Sequence, residues 1–384
     1  MPHQNIVFHG LLKHVPWARF AALVKEHGSD GEGRGLTSKQ HLVALLYAQL
    51  FGASGLRETV ELLESHAGRL YHVGGRPVAR SSLSEANRSR TPAVFSGLLA
   101  ALMAQAHGSL RQAMAESVYL IDATIVPLNS LSADWARFSA GVCGAKVHVV
   151  YDPAADCPTY AVVTARSVND ISAAHAMPIE AGATYVFDLG YYDFAWWARL
   201  DAAGCRIVTR FKANTPLTVI DERAVPATGP ILSDRVGYLP KRQASNRKNP
   251  FAAPVREVRV RIETGSILRI LSNDLTASAQ EIADLYKRRW AIELFFRWVK
   301  QTLRIRKFIG TNENAVRLQI AVALIAFLLL RLAQAAHKNP LKPLAFARLV
   351  CANLMHRRRL DRLLKPDISP PPSSPQIEFQ WAPT

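Results

Sequence analysis

The sequence of 384 residues is poor in cysteine, and none of its cysteines lies in a metal-binding or redox pattern. The four cysteines form no CxxC pair and have no histidine at zinc spacing; they are Cys143, Cys157, Cys205 and Cys351. This distribution argues against a zinc finger and against a disulfide-stapled secreted fold. The N-terminus also lacks a basic segment followed by an apolar one, so we predict no secretion signal and a cytoplasmic location.

Long apolar runs and acidic residues are scarce as well. The most apolar stretch, residues 320–330, has about half the length that a membrane span requires and stops at Arg331. We therefore predict a buried helix there and no membrane partner. Only 30 aspartates and glutamates stand against 47 lysines and arginines, a formal net charge of +17. A positive excess of this size favours a polyanionic partner, nucleic acid first.

What the sequence does contain is one unusual stretch, residues 286–300, with the letters YKRRWAIELFFRWVK. At about 100° per residue on a single helix, Arg289, Glu293 and Lys300 fall on one face, together with the phenol of Tyr286. An apolar stripe beside that face predicts that the helix packs on a core; it comprises Ile292, Phe295, Phe296, Val299 and Leu303. Taken alone, the same pattern is also typical of an amphipathic helix with ion pairs between residues four apart.

The spacing Tyr-x2-Arg-x3-Glu-x6-Lys resembles the signature of the insertion-sequence-4 family of bacterial DDE transposases. The resemblance implies a ribonuclease-H-like catalytic core in which Glu293 is the third catalytic acid. It also implies that Tyr286, Arg289 and Lys300 contact DNA phosphates near the cut. Arg304 extends the same basic face and is predicted to bind phosphate as well.

The segment from residue 113 changes to strand-like periodicity, which predicts an α/β core. Short apolar runs predict strands at 118–121, 145–151, 159–164, 183–187 and 206–209, with helices from about 171 and over 193–203. This order describes a ribonuclease-H-like fold, in which the first and fourth strands are expected to be neighbours. Asp122 and Asp188 follow those two strands, so we predict that they lie close together.

Asp122, Asp188 and Glu293 together offer three carboxylates from three separate elements. In-line displacement at phosphorus needs a deprotonated attacking oxygen and neutralised charge, and hard divalent cations held by carboxylates meet both needs. We therefore predict that the three acids are the catalytic residues and the ligands of Mg²⁺, with Mn²⁺ able to substitute. The resemblance implies that Asp122 is the bridging ligand.

Each aspartate also has a plainer interpretation, because an acid after a strand often only begins a turn. Three further acids compete for the same roles. Asp152 is better explained by a hairpin turn, Asp170 by a helix N-cap and Asp201 by a helix surface.

The flanks of the core predict three further units. Residues 1–112 have helical periodicity and resemble the all-helical DNA-binding domain that precedes the core in these transposases. Residues 211–272 predict a β-rich subdomain inserted in a core that spans 113–335. Residues 336–384 predict a helical segment and a disordered tail.

Two helix starts in the N-terminal region carry polar caps. Thr37 or Ser38 is predicted to cap one helix, and Ser81 or Ser82 a second. The second helix would present donors suited to phosphates and base edges, namely Ser84, Asn87, Arg88 and Arg90. Arg88 is the predicted phosphate contact, although a solvated polar helix has the same pattern.

Two features depart from the family pattern. Leu189 stands after the second acid, where many relatives carry a cation. No tryptophan lies between Phe211 and Gly265, where some relatives stack a flipped base, so the formation of a hairpin end is left open.

The resemblance implies cut-and-paste transposition in the nucleoid. The substrate would be double-stranded DNA, cleaved at inverted-repeat ends and joined to a target. At least a homodimer is implied, because two ends must be cut together. A simple nuclease on the same fold and a non-catalytic DNA-binding protein are the alternative hypotheses.

Overall fold

The computed structural model describes residues 6–30, 35–111, 115–244, 247–302 and 310–363. Its helices are α1 (Val7–Leu12), α2 (Trp17–Glu26), α3 (Ser38–Phe51), α4 (Leu56–Ser65), α5 (Ala67–Leu70), α6 (Arg80–Ser89), α7 (Ala93–Leu110), α8 (Ala133–Ala136), α9 (Asp170–Ala174), α10 (Phe194–Ala202), α11 (Ala279–Arg288), α12 (Trp290–Thr302), α13 (Glu313–Ala336) and α14 (Pro343–Ala352). Its strands are β1 (Val118–Leu128), β2 (Arg137–Ser139), β3 (Val142–Asp152), β4 (Cys157–Ala165), β5 (Thr184–Phe187), β6 (Arg206–Arg210), β7 (Thr218–Arg223), β8 (Ile231–Tyr238), β9 (Arg242–Ala244), β10 (Arg247–Lys248), β11 (Val255–Arg261) and β12 (Ile267–Ser272). The predicted helical N-terminal region and mixed α/β fold are confirmed.

The centre of the molecule is a mixed sheet in which β1 is an inner strand between β3 and β5. β1 pairs antiparallel with β3 and parallel with β5, β3 pairs with β4, and β5 pairs parallel with β6. The first five core strands therefore lie in the order β4-β3-β1-β5-β6. This is the ribonuclease-H-like arrangement, and the predicted contact between the first and fourth core strands is confirmed.

The strands between residues 211 and 272 continue this sheet. β12 pairs antiparallel with β6, and β11, β8 and β7 follow it outward. The segment is β-rich, as predicted, and hydrogen bonds join it to the core strands edge to edge. The small ladder of β9 and β10 forms a separate two-stranded sheet.

Apolar side chains cover both faces of the sheet. One cluster lies on the face of Tyr119 and Ile121 and holds the two buried tryptophans of α10, Trp196 and Trp197. The other cluster joins the N-terminal helices, the opposite sheet face, and the helices from α11 onward. Because the helical N-terminal region shares this second cluster, it packs directly on the catalytic half of the chain. The predicted domain boundaries stay predictions.

Within the described ranges, two helices are long and apolar enough to cross a membrane by length and composition, α7 and α13. They pack against each other, and α13 also contacts α3, α6 and α14. Most of α13 is buried inside the protein. The buried helix predicted around residues 320–330 is therefore confirmed.

The two predicted caps have different outcomes. Thr37 caps α3 with a complete capping box, and Gly52 ends that helix in the left-handed region at φ 76°. The second prediction is wrong, because α6 begins at Arg80 after Ala79 and has no side-chain cap. Ser81 and Ser82 instead lie inside its first turn, where the extended Ala79 backbone already starts the helix.

One buried ion pair fixes the inserted strands to the rest of the protein. Arg256 on β11 binds Asp234 on β8 through two hydrogen bonds, Nε to Oδ1 at 2.7 Å and Nη2 to Oδ2 at 2.6 Å. Both residues are at most 3% exposed. The same guanidinium donates to the carbonyl of Ala277, just before α11. The pair thus links two inserted strands to the start of the helix that leads to the signature residues.

We expect Asp234→Ala to lower the free energy of unfolding by about 3–5 kcal/mol, because it leaves the Arg256 charge buried without a partner. Urea unfolding followed by circular dichroism measures the loss. Asp221→Ala on β7 is the matched control. Its carboxylate is 61% exposed, and its ion pair with Arg223 is long, at 3.8 Å. The control should change stability by less than about 0.5 kcal/mol. Equal losses in the two variants would contradict a structural role for the buried pair.

Candidate active site

The signature stretch forms two helices, so the predicted single helix over residues 286–300 is wrong. α11 ends at Arg288, α12 begins at Trp290, and Arg289 lies between them. The amide of Arg289 donates to the Tyr286 carbonyl at 3.1 Å, and the amide of Ile292 donates to the Arg289 carbonyl at 3.2 Å. Both bonds span three residues, which tightens the turn and interrupts the α-helix.

The predicted apolar stripe is confirmed for its described members. Ile292, Phe295, Phe296 and Val299 are buried in the large cluster, and α12 contacts β1, α13 and α14. Leu303 lies outside the described residues. This packing directs the neighbouring face of α12, which carries Glu293 and Lys300, toward Asp122 and Asp188.

The register of β1 against β5 explains how two aspartates meet. The last parallel pair is Ile121 opposite Phe187. The next residues on the two chains are Asp122 and Asp188. β1 itself continues to Leu128 because β3 still pairs with it, so Asp122 lies within a strand rather than at its end.

The three predicted acids line one open cleft of about 440 Å³. Asp122 comes from β1, Asp188 from the turn after β5, and Glu293 from α12. The Oδ1 atom of Asp188 accepts a hydrogen bond from the amide of Gly190 at 2.8 Å. The other side chains around the cleft are Thr124, Arg289, Phe296, Arg297, Lys300 and Gln301.

Arg289 is the cation closest to these acids. Its Nη2 lies 2.5 Å from the Oε1 of Glu293, and its Nη1 lies 3.6 Å from the Oδ2 of Asp122. The guanidinium also lies over the ring of Tyr286, at 5.8 Å from the ring centre. Arg289 therefore neutralises two of the three acids.

Asp122 is held in an unfavourable environment for its charge. The pKa of its carboxyl is raised to about 6, chiefly by burial and also by the nearby Asp188 and Glu293. The hydrogen bond from the Ala123 amide acts to lower the pKa. Arg289 acts in the same direction as this hydrogen bond. A carboxylate of this kind gains from any cation that enters the cleft.

Oxygen ligands are present in the cleft, and they suit a hard divalent cation. In the described part of the chain, no three His, Cys, Asp or Glu side chains already converge closely enough to hold a metal ion. The chemistry of Asp122, Asp188 and Glu293 fits Mg²⁺, and Arg289 now lies between two of them.

The predicted phosphate-binding residues are placed very differently. Lys300 lines the cleft, whereas Tyr286 is buried and packs under Arg289. Arg88 is far along the chain on α6, with a side chain that is 70% exposed and 2.6 Å from Glu85. Arg304 lies outside the described residues.

Two donors predicted to be presented by α6 are not on the surface. Asn87 is buried and its Oδ1 lies 2.7 Å from the Nε2 of His41. Arg90 is also buried and donates to the Leu36 carbonyl. Both side chains therefore hold α6 against α3 and the segment before it, and the prediction that they face DNA is wrong.

The competing acids are explained by local contacts. The Oδ1 of Asp152 accepts the Ala154 amide at 2.7 Å, as predicted for a turn. Asp201 lies on α10 and accepts from Asn273 at 2.7 Å. Asp170 is the first residue of α9 rather than its N-cap, which is Asn169, so that prediction is wrong.

Arg297 and Gln301 are cleft residues that the sequence analysis did not single out. They lie four and eight positions after Glu293 on α12, so they follow the same helix face. The same spacing identifies both positions from the sequence.

Comparison with known families places this site in context. A family model described as a DDE transposase domain matches residues 113–329, more than half of the chain. A second model, described as a domain of unknown function (DUF4372), matches residues 3–76. The chain therefore belongs to the DDE transposase family.

Individual proteins are also similar to this chain. A protein of Sinorhizobium fredii assigned as transposase y4zB is 37% identical over 310 residues, covering 80% of this chain and 86% of that protein. A protein of Geobacillus stearothermophilus assigned as the transposase of insertion sequence element IS5377 is 30% identical over 242 residues, covering 62% of this chain and 63% of that one. Among solved structures, a piggyBac transposase synaptic complex with hairpin DNA has a TM-score of 0.45 at 10% identity, covering 94% of this chain and 81% of that one.

The raised pKa of Asp122 predicts a pH-dependent effect of its removal. The folded pKa of about 6 exceeds the ordinary value of 3.8, so stability falls as pH rises from about 4 to 6 and stays reduced above that. Asp122→Asn removes this cost. We expect the variant to be more stable than wild type at pH 7.5 by on the order of 1–3 kcal/mol, and to lose the advantage near pH 4.5.

Urea unfolding of both proteins at the two pH values, without divalent cations, measures this difference. A variant that is less stable at pH 7.5, or equally shifted at both pH values, would show that the buried charge is not the cause.

Proposed function

We propose that the protein is a transposase that cleaves and joins DNA strands at the inverted-repeat ends of an insertion sequence. The observation that carries this proposal is the convergence of Asp122, Asp188 and Glu293 on one cleft in a chain of the DDE transposase family. We assign it to the Tyr-Arg-Glu-Lys branch of the insertion-sequence-4 family. Its location would be the cytoplasm, at the nucleoid, and it would act on DNA as at least a homodimer.

Asp122, Asp188 and Glu293 would hold the divalent cations, Mg²⁺ first and Mn²⁺ as a substitute. Bound there, the cations supply charge neutralisation for the phosphodiester and a deprotonated attacking oxygen. The protein's own cationic side chains would add further stabilisation of the phosphate. Lys300 and Arg289 place two more positive charges at the cleft, where they stabilise the charge of the phosphate that enters it.

The outer face of α12 supports a path for DNA that leads to this cleft. Trp290 is 51% exposed, and the guanidinium of Arg297 lies 5.6 Å from the centre of its ring. Arg297 and Gln301 line the catalytic cleft and also a second groove, so the two are adjacent.

The second groove has a volume of about 710 Å³ and lies between the end of α3, α12 and α14. Its floor is apolar, with Phe51, Trp298 and Leu344 among its residues, and its rim carries Arg297 and Arg348. No carboxylate is among its described lining residues. Cations over an apolar floor suit a DNA strand, whose phosphates and bases match the two kinds of surface.

The catalytic assignment is tested with purified protein, Mg²⁺ and a plasmid that carries the coding region with its native flanking DNA. We expect Glu293→Gln to reduce release of the flanked segment at least about 100-fold, because a ligand carboxylate is replaced by a neutral amide. DNA binding should persist. Glu263→Gln, an exposed residue of the inserted segment, is the control and should cleave normally.

Three outcomes are informative in that experiment. Full cleavage by Glu293→Gln would overturn the assignment of the third acid. Cleavage without strand joining by wild type would favour the nuclease hypothesis. Binding without cleavage in both Mg²⁺ and Mn²⁺ would favour the DNA-binding hypothesis.

The DNA path predicts a salt-dependent effect of the two rim arginines. Arg297→Ala and Arg348→Ala should each reduce the slope of log affinity against log salt concentration by about 1, since each removes one phosphate contact. Fluorescence anisotropy with a labelled terminal repeat measures the slope. Arg19→Ala on α2 is an exposed control outside the groove and should leave the slope unchanged. An unchanged slope in the two rim variants would remove the groove from the path.

A further inference from the structure

A fourth carboxylate, that of Asp170, lies beside the catalytic cleft without belonging to it. Its Oδ1 is 2.9 Å from the Nζ of Lys146 and 3.7 Å from the Nδ1 of His148. The Lys146 ammonium also donates to the Val168 carbonyl at 2.8 Å. Lys146 and His148 are alternate residues of β3, so they project from the same face of the sheet. Asp170 is therefore fixed to the central sheet by a partly buried ion pair.

Gly190 brings Asp170 into contact with the loop that carries Asp188. A Cβ atom added at Gly190 would lie 2.9 Å from the Oδ2 of Asp170 and 3.1 Å from the Oδ1 of Asp188. Gly190 is not among the glycines with positive φ. The position therefore requires glycine for space rather than for backbone conformation. Both carboxylates lie beside the position that a Cβ atom of residue 190 would occupy, and they leave no room there for a methyl group.

Tyr191 belongs to the same loop and carries a buried hydroxyl. The residue is 1% exposed, and its ring packs with Phe187 and Trp196. Its hydroxyl is buried without a hydrogen-bond partner among the described residues. Burial raises the pKa of this phenol well above its usual value, and Asp170, Asp122 and Asp188 raise it further. The hydroxyl thus lies within electrostatic range of two catalytic acids and the fourth carboxylate.

We propose that Asp170 is a positioning residue for Asp188: held by Lys146, it packs against Gly190 and keeps the loop of residues 188–191 in the place that directs the Asp188 carboxylate into the cleft. The inference rests on the proposed function, because it assigns Asp188 to the reaction. Asp170 acts through the loop and needs no contact with DNA or with a cation. The amide of Gly190, which donates to Asp188, is the connecting element.

Gly190→Ala tests this arrangement with a single methyl group. We expect cleavage in Mg²⁺ to fall about 10- to 100-fold, because the new Cβ displaces the Asp188 carboxylate by a fraction of an ångström or more. Mn²⁺ binding without DNA, measured by isothermal titration calorimetry, should weaken several-fold. DNA affinity should stay within about twofold of wild type, since no phosphate contact is removed. Gly108→Ala, where an added Cβ meets no atom within 4 Å, is the control.

The role of Asp170 is tested by combining substitutions. Asp170→Ala should reduce cleavage about 10-fold, and it removes one of the two oxygens that crowd Gly190. In that background, Gly190→Ala should cost less than about threefold more, so the two effects are not additive. Asp170→Asn keeps the volume but weakens the pair with Lys146 and should fall between wild type and Asp170→Ala. Fully additive costs, or normal Mn²⁺ affinity in both single variants, would overturn the inference.

Asp188→Asn separates this inference from the proposed function. If Asp188→Asn cleaves normally, the catalytic assignment fails and the positioning role fails with it. If Asp188→Asn is inactive while Gly190→Ala and Asp170→Ala both cleave normally and bind Mn²⁺ normally, only the positioning role is overturned. Thermal unfolding of every variant shows whether a loss arises from misfolding, and Gly190→Ala, which removes no charged group, decides the case if Asp170→Ala does not fold.

Discussion

The two aspartates of the cleft, Asp122 and Asp188, are brought together by the parallel pairing of β1 with β5. The pairing ends at Ile121 opposite Phe187, and the next residue on each chain is an aspartate. Strands that end together at one edge of a sheet bring their following side chains together, whatever their distance in sequence. The third acid has a different origin: the apolar stripe of α12 packs on the core near β1 and leaves Glu293 on the facing side. The sheet register thus positions the two aspartates, and helix packing positions the glutamate beside them.

This grouping of three acids has an electrostatic cost, and Arg289 offsets part of it. Burial and two neighbouring acids hold the pKa of Asp122 near 6, while Arg289 pairs with Asp122 and Glu293. The three acids therefore attract positive charge to the cleft although their proximity lowers the stability of the folded protein. The break between α11 and α12 serves the same end, because Arg289 occupies the junction and reaches a strand residue and a helix residue at once.

The sequence predicted the parts of this structure that depend on local pattern. Strand order, the buried helix, the apolar stripe and the two aspartates that follow the last parallel pair of β1 and β5 were predicted from periodicity and from residue type. The failures concern contacts between distant segments. Asn87 looks like a surface donor until His41, 46 positions earlier, supplies its partner. Asp170 looks like a helix cap until folding brings Lys146 and Gly190 to it, and the break at Arg289 lies in a stretch whose residues all suit a helix.

The proposed DNA path depends on the distribution of charge more than on its total. Many arginines have an acidic partner, as in the pairs of Arg206 with Glu281 and Arg317 with Glu313. Another large groove, near the start of β1, carries the carboxylates of Glu116, Glu281 and Asp284 with Arg288, so its described lining residues are net negative and would repel a phosphate backbone. The groove beside α12 instead has two arginines, and no carboxylate among its described lining residues. A net charge of +17 would attract DNA to many surfaces, but this groove has two arginines, no carboxylate among its described lining residues, and two residues that also line the cleft of the three acids.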